Sequence, residues 1–153
     1  MVINNLQKIK SEEKESTDQK FTNFDAELAI IGCLLWDNRS YEKIADFLTE
    51  DHFENINNKK IFKTIKLLLD KNLLVTPITL QNYLENDIED PIDNYSYLNQ
   101  IKDSAPSTQN AYQYARLLYD LHIKRSLVGI GGTIIKETIS NENNLDGTDL
   151  IEN

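Results

Sequence analysis

The sequence predicts an all-α protein: a small head of about five or six short helices followed by a long helical hairpin. Three observations carry that expectation. Apolar residues recur at helical intervals in segment after segment, and no stretch alternates apolar and polar residues long enough to make a strand. From about Thr108 the helical period then runs on past Ile135, far longer than any segment upstream. At 153 residues, with 40% hydrophobic, the chain has the size of one domain with tails. Residues 1–22 are polar and charge-mixed and read as a flexible arm, 23–140 as the helical domain, and 141–153, acidic and without Lys or Arg, as the start of a linker.

Each element has its own signal. Ala26, Ala29, Ile30, Cys33 and Leu34 share a helical face ending near Trp36, with Asp25 placed to cap the first turn and Glu27 to complement the helix dipole. Ser40 offers an N-cap to a second short helix carrying Ile44, Phe47 and Leu48. A connector containing Phe53 follows. The clearest amphipathic helix spans Asn57 to Lys71, with Ile61, Phe62, Ile65, Leu68 and Leu69 on one side and Lys59, Lys63, Lys66 and Asp70 on the other. Thr76-Pro77 starts a fourth helix, because a hydroxyl caps it and proline lacks only an N–H that the first turn leaves unpaired anyway. Asn86 to Pro91 is acidic and turn-like, and Tyr95, Leu98 and Ile101 mark a fifth helix ended by Ala105-Pro106-Ser107.

In the last region Tyr114, Leu117, Leu121, Val128 and Ile135 form one stripe, with Ile123, Leu127, Ile130 and Ile134 beside it. This is one long helix or two meeting near His122. The band is wide and must be covered, since each fully buried Leu or Ile contributes roughly 1.5–3 kcal/mol. The expected cover is a second subunit, which makes Tyr114, Leu117, Leu121, Ile123, Leu127, Val128, Ile134 and Ile135 the candidate subunit interface. Gly129, Gly131 and Gly132 lie inside the region and allow either close helix approach or a kink.

The chemistry of the chain is sparse. A net charge of −9 repels phosphate backbones and disfavours tight non-specific nucleic-acid binding. Cys33, the single cysteine, cannot form an internal disulfide and is expected buried, which fits a reducing compartment. The first twenty residues lack the apolar core of a signal peptide and no run approaches a membrane span, so the expected location is the cytoplasm, away from membranes. The five glycines never take P-loop spacing, and Ile134 stands where a dinucleotide loop beginning at Gly129 would need its third glycine. His52 and His122, far apart and joined by one cysteine, assemble no zinc set. Asp87, Glu89, Asp90 and Asp93 lack the glycine and glutamate of a calcium loop and read as a solvated turn, with an acid/base pair there as the competing enzyme reading. The lysines between Lys59 and Lys66 read as a solvent face rather than a phosphate stripe. No catalytic, cofactor-binding or metal-binding residue is assigned.

The order of the segments carries a resemblance. Asp25-Ala26-Glu27 leading into Ile31-Gly32-Cys33-Leu34-Leu35, then Asp51-His52-Phe53, Ile61-Phe62, Thr79-Leu80 with Leu84, Tyr97-Leu98, Pro106-Ser107 with Asn110, Tyr114-Ala115, and Arg125 with Leu127 together resemble the N-terminal domain of the replicative DNA helicase (DnaB) family. The resemblance covers about Asn23 to Ser140. Leu28 stands where the family often has Gln, Asn58 where a His is common, and Asn94-Tyr95 where a Gly-Gly is usual. The resemblance implies a helical head with a long hairpin, dimers assembling into the collar of a hexameric ring, and docking of the helicase-binding end of primase, with helicase loaders as further partners. It implies that ATP, magnesium and DNA are handled by a separate C-terminal RecA-like domain of the full-length protein, leaving this part without cofactor or catalysis. The alternative is the helicase-binding domain of a primase, or a stand-alone replication adaptor.

Overall fold

The computed structural model describes residues 20–84, 94–140 and 151. The expected arm and linker therefore lie almost wholly outside the described residues, as does the acidic stretch with Asp87, Glu89, Asp90 and Asp93. Among the described residues the chain is helical and without strands: α1 Phe24–Trp36, α2 Ile56–Asp70, α3 Pro77–Leu84, α4 Asn94–Asp103 and α5 Ala111–Ser140, with 3-10 turns at Asn38–Lys43, Glu50–His52 and Thr108–Asn110. Two compact units divide it, residues 1–122 and 123–153.

The helix ends follow from local chemistry. Asn23, not Asp25, caps α1: its side chain accepts from the Ala26 N–H at 2.9 Å, and Asp25 lies inside the first turn, where its charge meets the helix dipole. Asp37 is extended and accepts from the Arg39 N–H, opening the 3-10 turn Asn38–Lys43. Ser40 is thus buried within that turn rather than capping an α-helix. The reason is Asn38, whose amide donates to the Val75 carbonyl at 2.8 Å and accepts from the Val75 N–H at 2.9 Å, drawing the chain into a tight turn straight after α1. Asn55 caps α2 by accepting from Asn57 and Asn58. At its other end the Leu73 N–H returns to Leu68 and the Asn72 N–H to Leu69, with Asn72 at φ 58°, a left-handed termination that asparagine tolerates. Thr76 and Thr79 cap α3 reciprocally, each side-chain oxygen accepting from the other's N–H.

The core gathers Ile30, Ile31, Leu34 and Leu35 of α1, Ile61, Phe62, Ile65 and Leu68 of α2, Leu80 and Leu84 of α3, and Leu98 and Ile101 of α4. Phe53 stacks on Phe62 with centroids 4.6 Å apart. Cys33 is buried as expected. Gly32 is where α1 and α4 touch: a Cβ there would stand 2.7 Å from that of Ala105 and 2.8 Å from the Ile101 carbonyl, so only glycine fits. Trp36 extends the same contact, donating its indole N–H to the Lys102 carbonyl while the Lys102 ammonium lies 4.9 Å over its ring.

Helix α5 is continuous through His122, which settles the choice left open between one helix and two. It buries Ala111, Ala115, Leu118 and Leu121, all in its first eleven residues. A return arm completing a hairpin is not among the described residues. No Cβ added at Gly129, Gly131 or Gly132 would meet another atom within 4 Å.

Glu27 departs most from its sequence reading. It lies in the first turn of α1 as expected, but it is 1% exposed and its partners belong to another helix. It accepts from the backbone N–H of Glu54 at 2.6 Å and of Asn55 at 3.3 Å, and from the Asn58 amide at 2.9 Å. The carboxylate of one helix thus serves the N-terminus of another, where the N–H groups lack helical partners and favour negative charge. Burial pushes its pKa up, against the lowering pull of those donors. The Asn58 Oδ1 is buried with no partner among the described residues.

Glu27→Ala strands these donors and should lower stability by about 2–4 kcal/mol, measured by urea unfolding. Glu27→Gln should cost less, because the amide keeps an acceptor and the Asn58 side chain can turn its unpaired oxygen toward it. A folded-state pKa raised above the unfolded value means protonation favours the fold, so the wild type should lose stability relative to Glu27→Gln as pH rises through the folded pKa. Parallel pH profiles would contradict this.

Candidate assembly surface

The eight residues assigned to an interface fall into three groups. Tyr114 is half-buried against the core of the first unit, and Leu117 beside it is 39% exposed. Both line a groove of about 460 Å³ with Leu28, Ala29, Ile101 and Pro106. Leu121 is 9% exposed, covered by its own chain together with Ala111, Ala115 and Leu118, and so is withdrawn from the candidate surface. Positions 114, 121, 128 and 135 follow a seven-residue period and drift by only about 20° per heptad, so they share one stripe, and they differ in burial because the core packed against this helix stops at Leu121. The inner face was legible as Ala111, Ala115 and Leu118 at i, i+4 and i+7, but two alanines make a weak signal.

Rings and one guanidinium fasten the start of α5. Phe47 meets Tyr112 and Tyr119 edge-on at 5.7 and 5.9 Å, and the Arg116 guanidinium lies over Phe47 and Tyr119 at 5.6 and 5.1 Å. Arg116 also pairs with Asp120 one turn on, at 3.6 Å. His52 and His122, seventy residues apart in sequence, meet with ring centroids 4.6 Å apart. The Thr49 N–H donates to His52 Nδ1 at 2.8 Å, so the neutral ring carries its proton on Nε2 and offers no lone pair there for a metal. Sequence reasoning had no signal for this pairing.

In the second unit, Ile123, Leu127, Val128, Ile134 and Ile135 are all exposed, as are Ile130 and Ile139, which the interface assignment had omitted. At about 100° per residue, Ile123, Leu127, Ile130 and Ile134 form one stripe and Val128, Ile135 and Ile139 a second, with Thr138, Gly131 and Lys124 between them. Arg125, Lys136, Thr133, Ser126 and Glu137 occupy the opposite side. The apolar band spans about half the helix circumference, broader than the narrow seam of a two-stranded coiled coil. A set of seven large aliphatic side chains left in water is the mark of an interaction surface.

Leu121→Asp should therefore unfold the first unit by several kcal/mol, as expected for a buried charge (about 3 kcal/mol or more). Leu127→Asp, at 62% exposure, should leave the melting temperature of dilute protein nearly unchanged. Equal effects in circular-dichroism melts would reverse the division of α5 drawn here.

Comparison with known proteins bears on the fold and the family. Residues 19–120 match the family model of the DnaB-like helicase N terminal domain. The replicative DNA helicase DnaB of Rickettsia felis is 29% identical over 132 residues, covering 86% of this chain and 27% of the relative. The replicative DNA helicase DnaC of Bacillus subtilis is 26% identical over 125 residues, covering 81% and 28%. The chain thus spans about a quarter of the length of the curated relatives it matches. The crystal structure of the N-terminal domain of DnaB helicase from Mycobacterium tuberculosis superposes with a TM-score of 0.73 at 17% identity, covering 86% of this chain and 91% of that one. A DnaB-like replicative helicase described with its interactions with primase gives 0.66 at 22% identity over 77% of this chain and 28% of that one. With the family model covering two thirds of its residues, the chain belongs to the DnaB-like helicase N-terminal domain family.

Proposed function

We propose that this chain is the assembly and docking domain of a replicative DNA helicase, pairing with copies of itself through residues 123–140 and presenting its head to primase. The observation that carries the reading is the uncovered apolar band of Ile123, Leu127, Ile130 and Ile134 with Val128, Ile135 and Ile139. Its width suits two helical neighbours, a return arm of the same subunit and the hairpin of a second, and Gly131 at its centre lets one backbone come close. Dimers so formed build the collar of a hexameric ring. ATP hydrolysis with magnesium, and the grip on DNA, belong to another domain of the helicase. A chain of net charge −9 holds no strand by counter-ion release. Docking of the helicase-binding end of primase, and of a loader, is supported by family membership and by the likeness to a replicative helicase described with its interactions with primase. Among the described residues no helix is long and apolar enough to cross a membrane. The setting that fits a replication collar is the cytoplasm.

Sedimentation equilibrium tests this. The wild type should form dimers or larger species, and Ile134→Glu with Ile135→Glu should weaken association at least tenfold without loss of helix content. A wild type that stays monomeric at high concentration would contradict the reading, as would a double variant that associates normally.

A further inference from the structure

The 3-10 turn Glu50–His52 is closed by its own last side chain. The Thr49 N–H donates to His52 Nδ1 at 2.8 Å, the return bond of a capping box, in a place where Glu or Gln ordinarily supplies the acceptor. A glutamine accepts that bond at any pH near neutrality, whereas an imidazole accepts it only while Nδ1 keeps its lone pair. The closed turn therefore requires a neutral His52. The residue is 7% exposed, so a charge on the ring would also carry a desolvation cost. The turn stands between the core and α5. Phe53, next in the chain, stacks on Phe62, and Glu54 and Asn55 give their N–H groups to Glu27. The His52 ring itself meets Tyr119 and His122 of α5 at 5.3 and 4.6 Å, where the buried part of that helix ends.

The charges around the ring pull both ways. On its own turn Glu50 and Asp51 favour a protonated ring, but the Asp51 side chain is 74% exposed and pairs with Lys59 of α2 at 3.4 Å. From α5, Tyr119 and His122 are the titratable groups in ring contact, Arg116 adds positive charge 5.1 Å over the Tyr119 ring, and Asp120 pairs with Arg116 at 3.6 Å. Solvent weakens these surface pairs, while burial and the Thr49 N–H act at the ring itself and hold it neutral. We propose that the bond between Thr49 and His52 is a proton-released latch on the last fastened turn of α5. A proton on Nδ1 removes the acceptor of the Thr49 N–H, opens the turn, and frees Tyr119 and His122 from the ring that holds them. An unfolded chain binds that proton at the ordinary imidazole value of about 6.5, and the closed turn resists it. The latch thus contributes its full stability above that pH and loses it as pH falls below. All of these groups belong to the first unit, so the inference stands apart from self-assembly through residues 123–140.

The test compares the whole chain with two variants at one fixed protein concentration between pH 7.5 and 5.5, by urea unfolding and by NMR. His52→Gln keeps an acceptor for the Thr49 N–H and cannot titrate, and His122→Phe keeps a ring and removes the second histidine. Over this range the folding constant of the wild type should fall about tenfold relative to that of His52→Gln, the linkage expected for one imidazole. His122→Phe should keep the wild-type response, which assigns it to His52. In the wild type the imidazole nitrogen shifts of His52 should report a neutral ring with its proton on Nε2 at pH 7.5. The Thr49 amide and the Tyr119 ring signals should move together as that ring takes up a proton. If His52→Gln does not fold, these NMR signals decide. The proposal is overturned if the pH profiles of wild type and His52→Gln run parallel, if His122→Phe abolishes the response, or if His52 is protonated with the Thr49 and Tyr119 signals unmoved.

Discussion

A thirty-residue helix is about 45 Å long, and in α5 the inward-facing side chains stop at Leu121. That mismatch between the length of the helix and the length of its core is the constraint from which the functional reading follows. Ala111, Ala115 and Leu118 give the first turns a hydrophobic reason to be helical, and the Phe47, Tyr112 and Tyr119 rings with Arg116 fasten them. Beyond His122 no side chain of the helix is buried, while aliphatic residues keep recurring at helical intervals. Isolated helices are marginal in water, and most helical stability in proteins comes from packing an apolar face. A helix that carries three glycines and exposes its isoleucines gains stability when a further surface packs on that face.

The first unit is organised differently, with buried polar groups placed where helix ends meet. Glu27 joins α1 to the N-terminus of α2, and Asn38 joins the end of α1 to the chain ahead of α3. Both satisfy backbone groups that no helix would satisfy, and a buried donor left without an acceptor costs about 1–3 kcal/mol. Such groups specify one arrangement of short helices that apolar packing alone would leave loosely defined. In residues 123–140, by contrast, aliphatic side chains dominate one exposed side.

Much of this was legible in the sequence. The helical periods located α1, α2 and α5, Thr76-Pro77 marked the start of α3, and the ordered motifs from Asp25 to Leu127 identified the family. What escaped notice depended on contacts distant in sequence. Glu27 reads only as a dipole-matching acid of its own helix until the turn at Glu54 and Asn55 is brought beside it. Ser40 looks like a cap until the bond between Asn38 and Val75 tightens the chain around it. Leu121 sits on the same apparent stripe as Val128 and Ile135, and only the tertiary packing of the first eleven residues of α5 separates them. The contact of His52 with His122 leaves no trace in local pattern at all. Asn23 is a plainer miss, since asparagine two residues ahead of an acidic first turn is an ordinary cap signal.

The central claim is that the apolar side of residues 123–140 is covered by another copy of the chain. Hydrogen–deuterium exchange of the amides in that stretch, followed across a hundredfold range of protein concentration, reads the claim directly. Protection there should rise with concentration while the amides of α1 and α2 exchange at constant rates. Uniform exchange at every concentration would show that the helix needs no second subunit, and would contradict the account.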